Sequence, residues 1–309
     1  MIYYETRHII EFDTSYEGQK IKTVKALTWT ILSSLIALAA FSGGAYGITG
    51  NLQADAPPPY VCIVVLFGAD QTSPIAICSG VLISPKVVLT AGHGTLNADT
   101  ASVCFDKGPI QYSIKDGKIL YSGSETIYTG EPYTFKEYED IIDSGEPNGS
   151  DIFSKSDIGL IILDKPVKGI DKFPELPVAG FSNTLTAKTY FKVIGYGAQV
   201  QVTPRNGGVQ NSWIGTISCN SALAQLIPGN FAGSDRYLSL TANPSQGKGG
   251  IAFGDSGGPV LYQADDGTCT VLAINAFVSN SNCAGVSYHT RIDTEQVLDW
   301  IEKTAGVKP

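Results

Sequence analysis

Charge is scarce in this chain. Only 16% of its 309 residues are Asp, Glu, Lys or Arg, against about 25% in an average globular protein. Net charge is −8, and the only basic cluster is the set of N-terminal lysines. The cationic footprint that a nucleic-acid partner requires is missing. With 43% hydrophobic residues and few charges, a disordered chain is excluded. The absence of Ala/Glu/Lys/Leu/Arg enrichment with helical periodicity excludes a coiled coil. Histidine occurs three times, so few residues can serve as an imidazole base. No CxxC or Cys-x-His spacing occurs, which removes the usual zinc frameworks. No internal repeat is present, and neither a metal nor a cofactor is expected.

The longest apolar run, Ala26–Phe41, has 16 residues, short of the about 20 that span a bilayer. Lys20, Lys22 and Lys25 precede it. Ala45 and Gly47 follow in the small-x-small pattern of a cleavage site. Residues 1–47 therefore read as a signal peptide rather than an uncleaved anchor, and the remainder as secreted, extracellular or periplasmic. Cleavage removes Arg7, Lys20, Lys22, Lys25, Glu5, Glu11, Asp13 and Glu17, so the exported part keeps its −8 charge. All six cysteines (62, 78, 104, 219, 269, 283) lie in that part. An even count in an exported chain predicts three disulfides, with connectivity left open.

Short β-branched stretches recur between Gly, Pro, Asn and Asp clusters: 60–67, 75–83, 86–90, 158–163, 190–194, 212–217, 237–241, 259–262 and 270–278. This is the pattern of an all-β fold. Two helical segments are expected, a turn near Ser221–Leu226 and a helix at Asp293–Lys303. Lys165–Pro177, with three prolines, reads as a connection. It would join an N-terminal β domain at 48–164 to a C-terminal one at 178–309. The polar stretch 119–156 reads as an extended surface loop. Its Glu137, Glu139, Asp140 and Asp143 could ligate calcium, but a solvated acidic loop is the simpler reading.

His8 leaves with the signal, so His93 and His289 remain. His93 closes an apolar strand in Thr90-Ala91-Gly92-His93-Gly94. Asp157 opens one in Ser156-Asp157-Ile158-Gly159-Leu160-Ile161-Ile162-Leu163. Ser256 sits in the tight turn Gly254-Asp255-Ser256-Gly257-Gly258-Pro259-Val260. A serine hydroxyl is a poor nucleophile until an imidazole takes its proton. The imidazole needs an acid on its other nitrogen. Glycines beside the serine let two N–H groups converge on an oxyanion.

Together the three motifs resemble the chymotrypsin/trypsin family of serine peptidases: TAGHG for TAAHC, SDIGLIIL for DIALL, and GDSGGPV unchanged, in the order His, Asp, Ser. The resemblance runs from Ile48 to about Glu302. It implies two antiparallel six-stranded β-barrels with the site between them and a C-terminal helix. It makes His93 the base, Asp157 its orienter and Ser256 the nucleophile of an acyl-enzyme, with the Gly254 and Ser256 amides as oxyanion hole. It also implies that a freed Ile48 ammonium pairs with Asp255. Ile48-Thr49-Gly50-Asn51 resembles the family's IVGG, so signal cleavage after Gly47 would itself create the active N-terminus. The alternative nucleophile elbow of α/β-hydrolases needs acid and then histidine after the serine, and only His289 follows.

Two departures bear on the bridges. Gly94 stands where the family has a cysteine, leaving Cys78 in the partner position, and Ala252 stands where the mate of Cys283 would be. Rearranged bridges are then expected, Cys269–Cys283 across a hairpin and one pair among Cys62, Cys78 and Cys104. Gly250 at the pocket floor, where trypsin-like members carry Asp, argues against Arg or Lys at P1. Ile251, Ala276, Phe277 and Val278 as walls favour small or medium aliphatic side chains. The implied partners are protein or peptide substrates and proteinaceous inhibitors, with no nucleic acid, no membrane after signal cleavage, and a monomeric state. The reading from another class is a catalytically silent homologue acting as a binding module.

Overall fold

The computed structural model describes residues 48, 52–53, 56–69, 74–115, 118–122, 126–143, 156–197, 200–202, 212–214, 217–227, 235–243, 246–280 and 283–309. The segment Ala45–Pro309 forms one compact unit. The apolar run Ala26–Phe41 lies outside the described residues. Among those described, no helix is long and apolar enough to cross a membrane.

Six antiparallel strands close the first barrel in the order β1 (Val61–Phe67), β2 (Pro74–Ser84), β3 (Val87–Thr90), β8 (Gly159–Leu163), β7 (Tyr128–Thr134) and β4 (Thr100–Cys104). The second set runs β12 (Asn220–Gln225), β9 (Tyr190–Gly195), β14 (Pro259–Gln263), β15 (Cys269–Val278), β16 (Gly285–Arg291) and β13 (Tyr237–Ala242). A Leu226–Leu240 bridge and the Ile227 N–H on Ser239 O (3.0 Å) join its two edge strands. The expected pair of six-stranded antiparallel barrels is therefore present. Two hairpins, β5 (Gln111–Lys115) with β6 (Lys118–Ser122) and β10 (Val200–Val202) with β11 (Ser212–Ile214), stand apart.

All seven residues of β1 are buried, which explains its unbroken apolar run. Cys62, Val64 and Leu66 belong to the cluster that includes Leu82, Val88 and Ile161. Val61, Ile63, Val65 and Phe67 belong to a larger one shared with Ile194, Leu261 and Ile274 of the second barrel. A strand alternates faces, and here both faces are covered. Helix α3 (Glu295–Ala305) packs Val297, Leu298 and Ile301 into the shared cluster. Thr294 caps it by accepting the Val297 N–H at 3.3 Å. Its Trp300 meets Phe135 of the first half edge-on at 5.3 Å. The connection 165–177 touches both barrels, through Val167 N–H on Pro85 O (2.8 Å) and Glu175 N–H on Cys269 O (2.9 Å).

Two expectations fail locally. Ser221–Leu226 is not a helical turn: Asn220–Gln225 is strand β12, paired with β9. Its alanines suit a helix, but Ala222 and Ala224 are the small residues that fit beside Phe191 and Val193 inside the second barrel. Tertiary packing overrides that propensity. Nor is 119–156 one extended loop. Tyr128–Thr134 is strand β7 of the first barrel and Lys136–Asp143 is helix α2. Between Tyr128 and Thr134 only Gly130 is buried, so no apolar alternation announced the strand. On α2, Glu137 pairs with Arg236 at 3.3 Å and Asp140 with Lys136 at 3.1 Å. Among the described residues no group of acidic, His or Cys side chains is arranged for a metal.

The predicted disulfides are not formed: no S–S bond joins any of the six cysteines. Cys269 opens the ten-residue strand β15 and Cys283 lies beyond its far end, roughly 30 Å away at strand rise. Cys104 pairs with Ile63 and joins the inter-barrel cluster, so it faces away from Cys62. Cys62 and Cys78 are diagonal neighbours (Val64 opposes Cys78), at about 7–8 Å between Cα atoms, wider than a disulfide accepts. At Gly94, by contrast, a Cβ would lie 3.8 Å from Cys78 Cβ, the usual disulfide spacing. We expect Gly94→Cys to lose its free thiol to Cys78 under mild oxidation, by thiol titration. The closed loop should raise unfolding stability by about 3 kcal/mol in a denaturant titration.

Candidate active site

The site lies where three segments converge on the seam. After β3 the chain makes a single helical turn, α1 (Gly92–Thr95), carrying His93. A Cβ on Gly92 would stand 2.8 Å from Ile158 O and 3.1 Å from Asp157 Oδ1. Only glycine lets this turn rest directly on the backbone that leads into β8. His93 then meets Asp157 twice: its main-chain N–H donates to Oδ1 (2.7 Å) and its Nδ1 lies 2.7 Å from Oδ2. A carboxylate can only accept, so Nδ1 carries the proton and Nε2 keeps its lone pair. Burial pulls the His93 pKa down, but the charge and hydrogen bond of Asp157 outweigh it, and the net shift is upward. Asp157 is 3% exposed. Half-buried Tyr138 and buried Tyr237 lie close to it, their phenol pKa values pushed up by desolvation and then by its charge.

The serine turn comes from the other barrel and docks onto the first. Gly257 has φ +80°, and a Cβ there would collide with Thr90 Oγ1 (2.3 Å) and Ala91 N (2.6 Å). Ser79 of β2 ties down the same turn. Its N–H donates to Ser256 O (2.7 Å) and its hydroxyl to Gly254 O (2.9 Å), while accepting the Tyr196 N–H (2.9 Å). Ser256 Oγ lies 3.5 Å from Ala276 O, at the bulge in β15 between Asn275 and Phe277. Amides in the turn alternate in their duties. Those of Asp255, Gly257 and Gly258 donate to Ala252 O, Asn275 O and Asp255 O. Those of Gly254, at φ +95°, and Ser256 have no acceptor among the described residues.

Asp255 is fully buried. Gly197 N–H donates to its Oδ1 and Ala252 N–H to its Oδ2, each at 2.8 Å. The Ile48 N–H is a third donor. Burial raises its pKa to about 7, against the pull of these amides. Ile48 is itself wholly buried within the second barrel's core.

Of the residues expected to line a substrate pocket, Gly250, Ile251 and Ala276 are buried and Phe277 and Val278 half-buried. Phe277 stacks on Tyr288 (4.9 Å between centroids) and meets Tyr237 edge-on (5.3 Å). Sequence reasoning singled out the triad motifs but missed Ser79 and Asn275. The only signal for them was a polar residue inside an otherwise apolar strand.

A family model described as Trypsin matches residues 59–301, most of the chain. This chain belongs to the trypsin family of serine endopeptidases. Chymotrypsin-C from Bos taurus is 27% identical over 244 residues, 73% of this chain and 77% of that protein. Chymotrypsin-like elastase family member 3A from Homo sapiens is 26% identical over 234 residues, 74% and 77% respectively. The solved structure of HL collagenase aligns with TM-score 0.58 at 20% identity, covering 86% of this chain and 99% of that one. That likeness bears on the fold.

In this trypsin-family site, Asp157 should hold the imidazole charge. We expect the His93 pKa, followed by NMR, to lie above the usual 6.5 or so in the wild type, and to fall in Asp157→Asn. An unchanged titration would mean the 2.7 Å contact carries no charge coupling.

Proposed function

We propose that the chain acts as an exported endopeptidase whose nucleophile is Ser256, with His93 as base and Asp157 as its orienter. The carrying observation is the His93–Asp157 pair, which leaves Nε2 as a proton acceptor on the side away from the acid. Ser256 Oγ attacks the scissile carbonyl carbon while His93 takes its proton. The oxyanion is met by the Gly254 and Ser256 amides, which are free to donate. Collapse expels the amine with the proton from His93, and water then cleaves the acyl-enzyme by the reverse proton path.

A small or medium aliphatic P1 residue suits the pocket. Gly250 supplies no charge and Ile251 is packed to 2% exposure. Behind the wall, Val278 and Asn275 pair with Ser287 and His289, both fully buried and neither acidic.

Processing before Ile48 is supported by backbone strain. Ile48 has φ +70°, a costly state for a β-branched residue. The φ torsion exists only while residue 47 is attached, so cleavage there would abolish the strain. It would also turn the amide facing Asp255 into an ammonium. Pairing would hold Asp255 ionised until the amine loses its proton at alkaline pH.

Fluorophosphonate should label Ser256 of the mature protein, located by peptide mass spectrometry, and His93→Ala should abolish labelling. Peptide libraries should show cleavage after small aliphatic residues; a profile dominated by Arg or Lys would overturn the pocket reading. A protein beginning at Ile48 should lose activity at alkaline pH. One carrying an extra residue before Ile48 should be markedly less active, and full activity would sink the ion-pair reading.

A further inference from the structure

We infer that Asn275 is a positioning residue for the oxyanion hole, itself oriented by a buried His289–Ser287 pair. The inference rests on Ser256 being the nucleophile. All three side chains are fully buried, on the paired strands β15 and β16, with Asn275 opposite His289. None is used in the proton relay.

The hydrogen bonds fix every polar atom's role. Asn275 Nδ2 donates to Ile194 O (2.9 Å) and Asp255 O (3.1 Å). With both protons committed to carbonyls, Oδ1 is the acceptor. His289 Nδ1, 3.0 Å away, must therefore carry the ring proton. Nε2 is then a bare acceptor, and the Ser287 hydroxyl at 2.8 Å donates to it. Leu240 O is a more distant alternative for that hydroxyl, at 3.5 Å. The imidazole stays neutral, since burial pushes its pKa down to about 3.

Asp255 O and the Ser256 N–H belong to the same peptide group. A trans peptide is planar, with its C=O and N–H on opposite sides. Anchoring the oxygen on Asn275 Nδ2 therefore aims the Ser256 N–H the other way, toward the developing oxyanion. The main chain of Asn275 braces the same turn, donating to Gly258 O (2.8 Å) and accepting from Gly257 N–H (2.7 Å). A strand residue thereby sets the direction of a catalytic amide without touching substrate. A misdirected donor costs transition-state binding rather than ground-state binding.

The test compares Asn275→Asp, a near-isostere without the two donors, with wild type. We expect kcat to fall about 10²-fold with KM little changed, and fluorophosphonate labelling of Ser256 to slow in parallel. His289→Gln, which keeps an N–H donor, should lose less than His289→Leu. In the wild type, ¹⁵N NMR should find His289 as the Nδ1–H tautomer with its proton slow to exchange. In Ser287→Ala that tautomer should be less dominant, an effect readable if Asn275→Asp does not fold. Wild-type kcat in Asn275→Asp, or an Nε2–H tautomer in the wild type, would overturn the inference alone. Failure of the wild type to label at Ser256 would overturn it together with the catalytic reading.

Discussion

The geometry of this site hangs on a fully buried carboxylate, that of Asp255. Burying an ionised carboxyl is prohibitive unless other dipoles replace its solvent. For Asp255 the replacements are backbone N–H groups drawn from three separate stretches of chain, Gly197, Ala252 and Ile48. Meeting that demand bends the serine turn inward at Asp255. Its neighbours Gly254 and Ser256 are left with their amides outward. A pair of outward amides thus arises as the complement of a buried carboxylate. Because one donor is Ile48, the same carboxylate ties the turn to a residue about 200 positions earlier in the chain.

The second constraint is that the serine turn belongs to one barrel and the His93–Asp157 pair to the other. His93 and Asp157 come from the first barrel, and Ser256 from the second. Each barrel fills its interior with its own alternate residues, and the remaining faces share one apolar seam. Across that seam Ser79 reaches the carbonyls on either side of Asp255. The glycines at 92 and 257 allow backbone to meet backbone where any side chain would intervene. Sub-ångström placement then comes from packed main chain, which moves less than long polar side chains would.

Electrostatics divide the two imidazoles by environment. His93 sits beside a carboxylate that favours its charged form, which suits a base that must hold a proton transiently. His289 sits among neutral partners and is held uncharged, which suits a fixed hydrogen-bond donor. The same side chain thus serves two purposes, set by which acceptor faces Nδ1.

What the sequence by itself determined was whatever rests on local pattern. The all-β class followed from short β-branched runs. The three candidate motifs followed from a His and a Ser set among glycines and an acid at the mouth of an apolar strand. The C-terminal helix followed from the spacing of its apolar residues. What only tertiary structure decided was whatever depends on a partner far along the chain. Strand β12 looked helical because its alanines matter only against Phe191 and Val193. Strand β7 looked like a loop because its one buried residue is a glycine. Cysteine count suggested bridges that the fold does not form, since pairing depends on which face and which end of a strand each thiol occupies. Ser79 and Asn275 were unremarkable letters in apolar strands until the fold set them against the serine turn. A hydrogen bond is made by position and direction, and sequence distance carries neither.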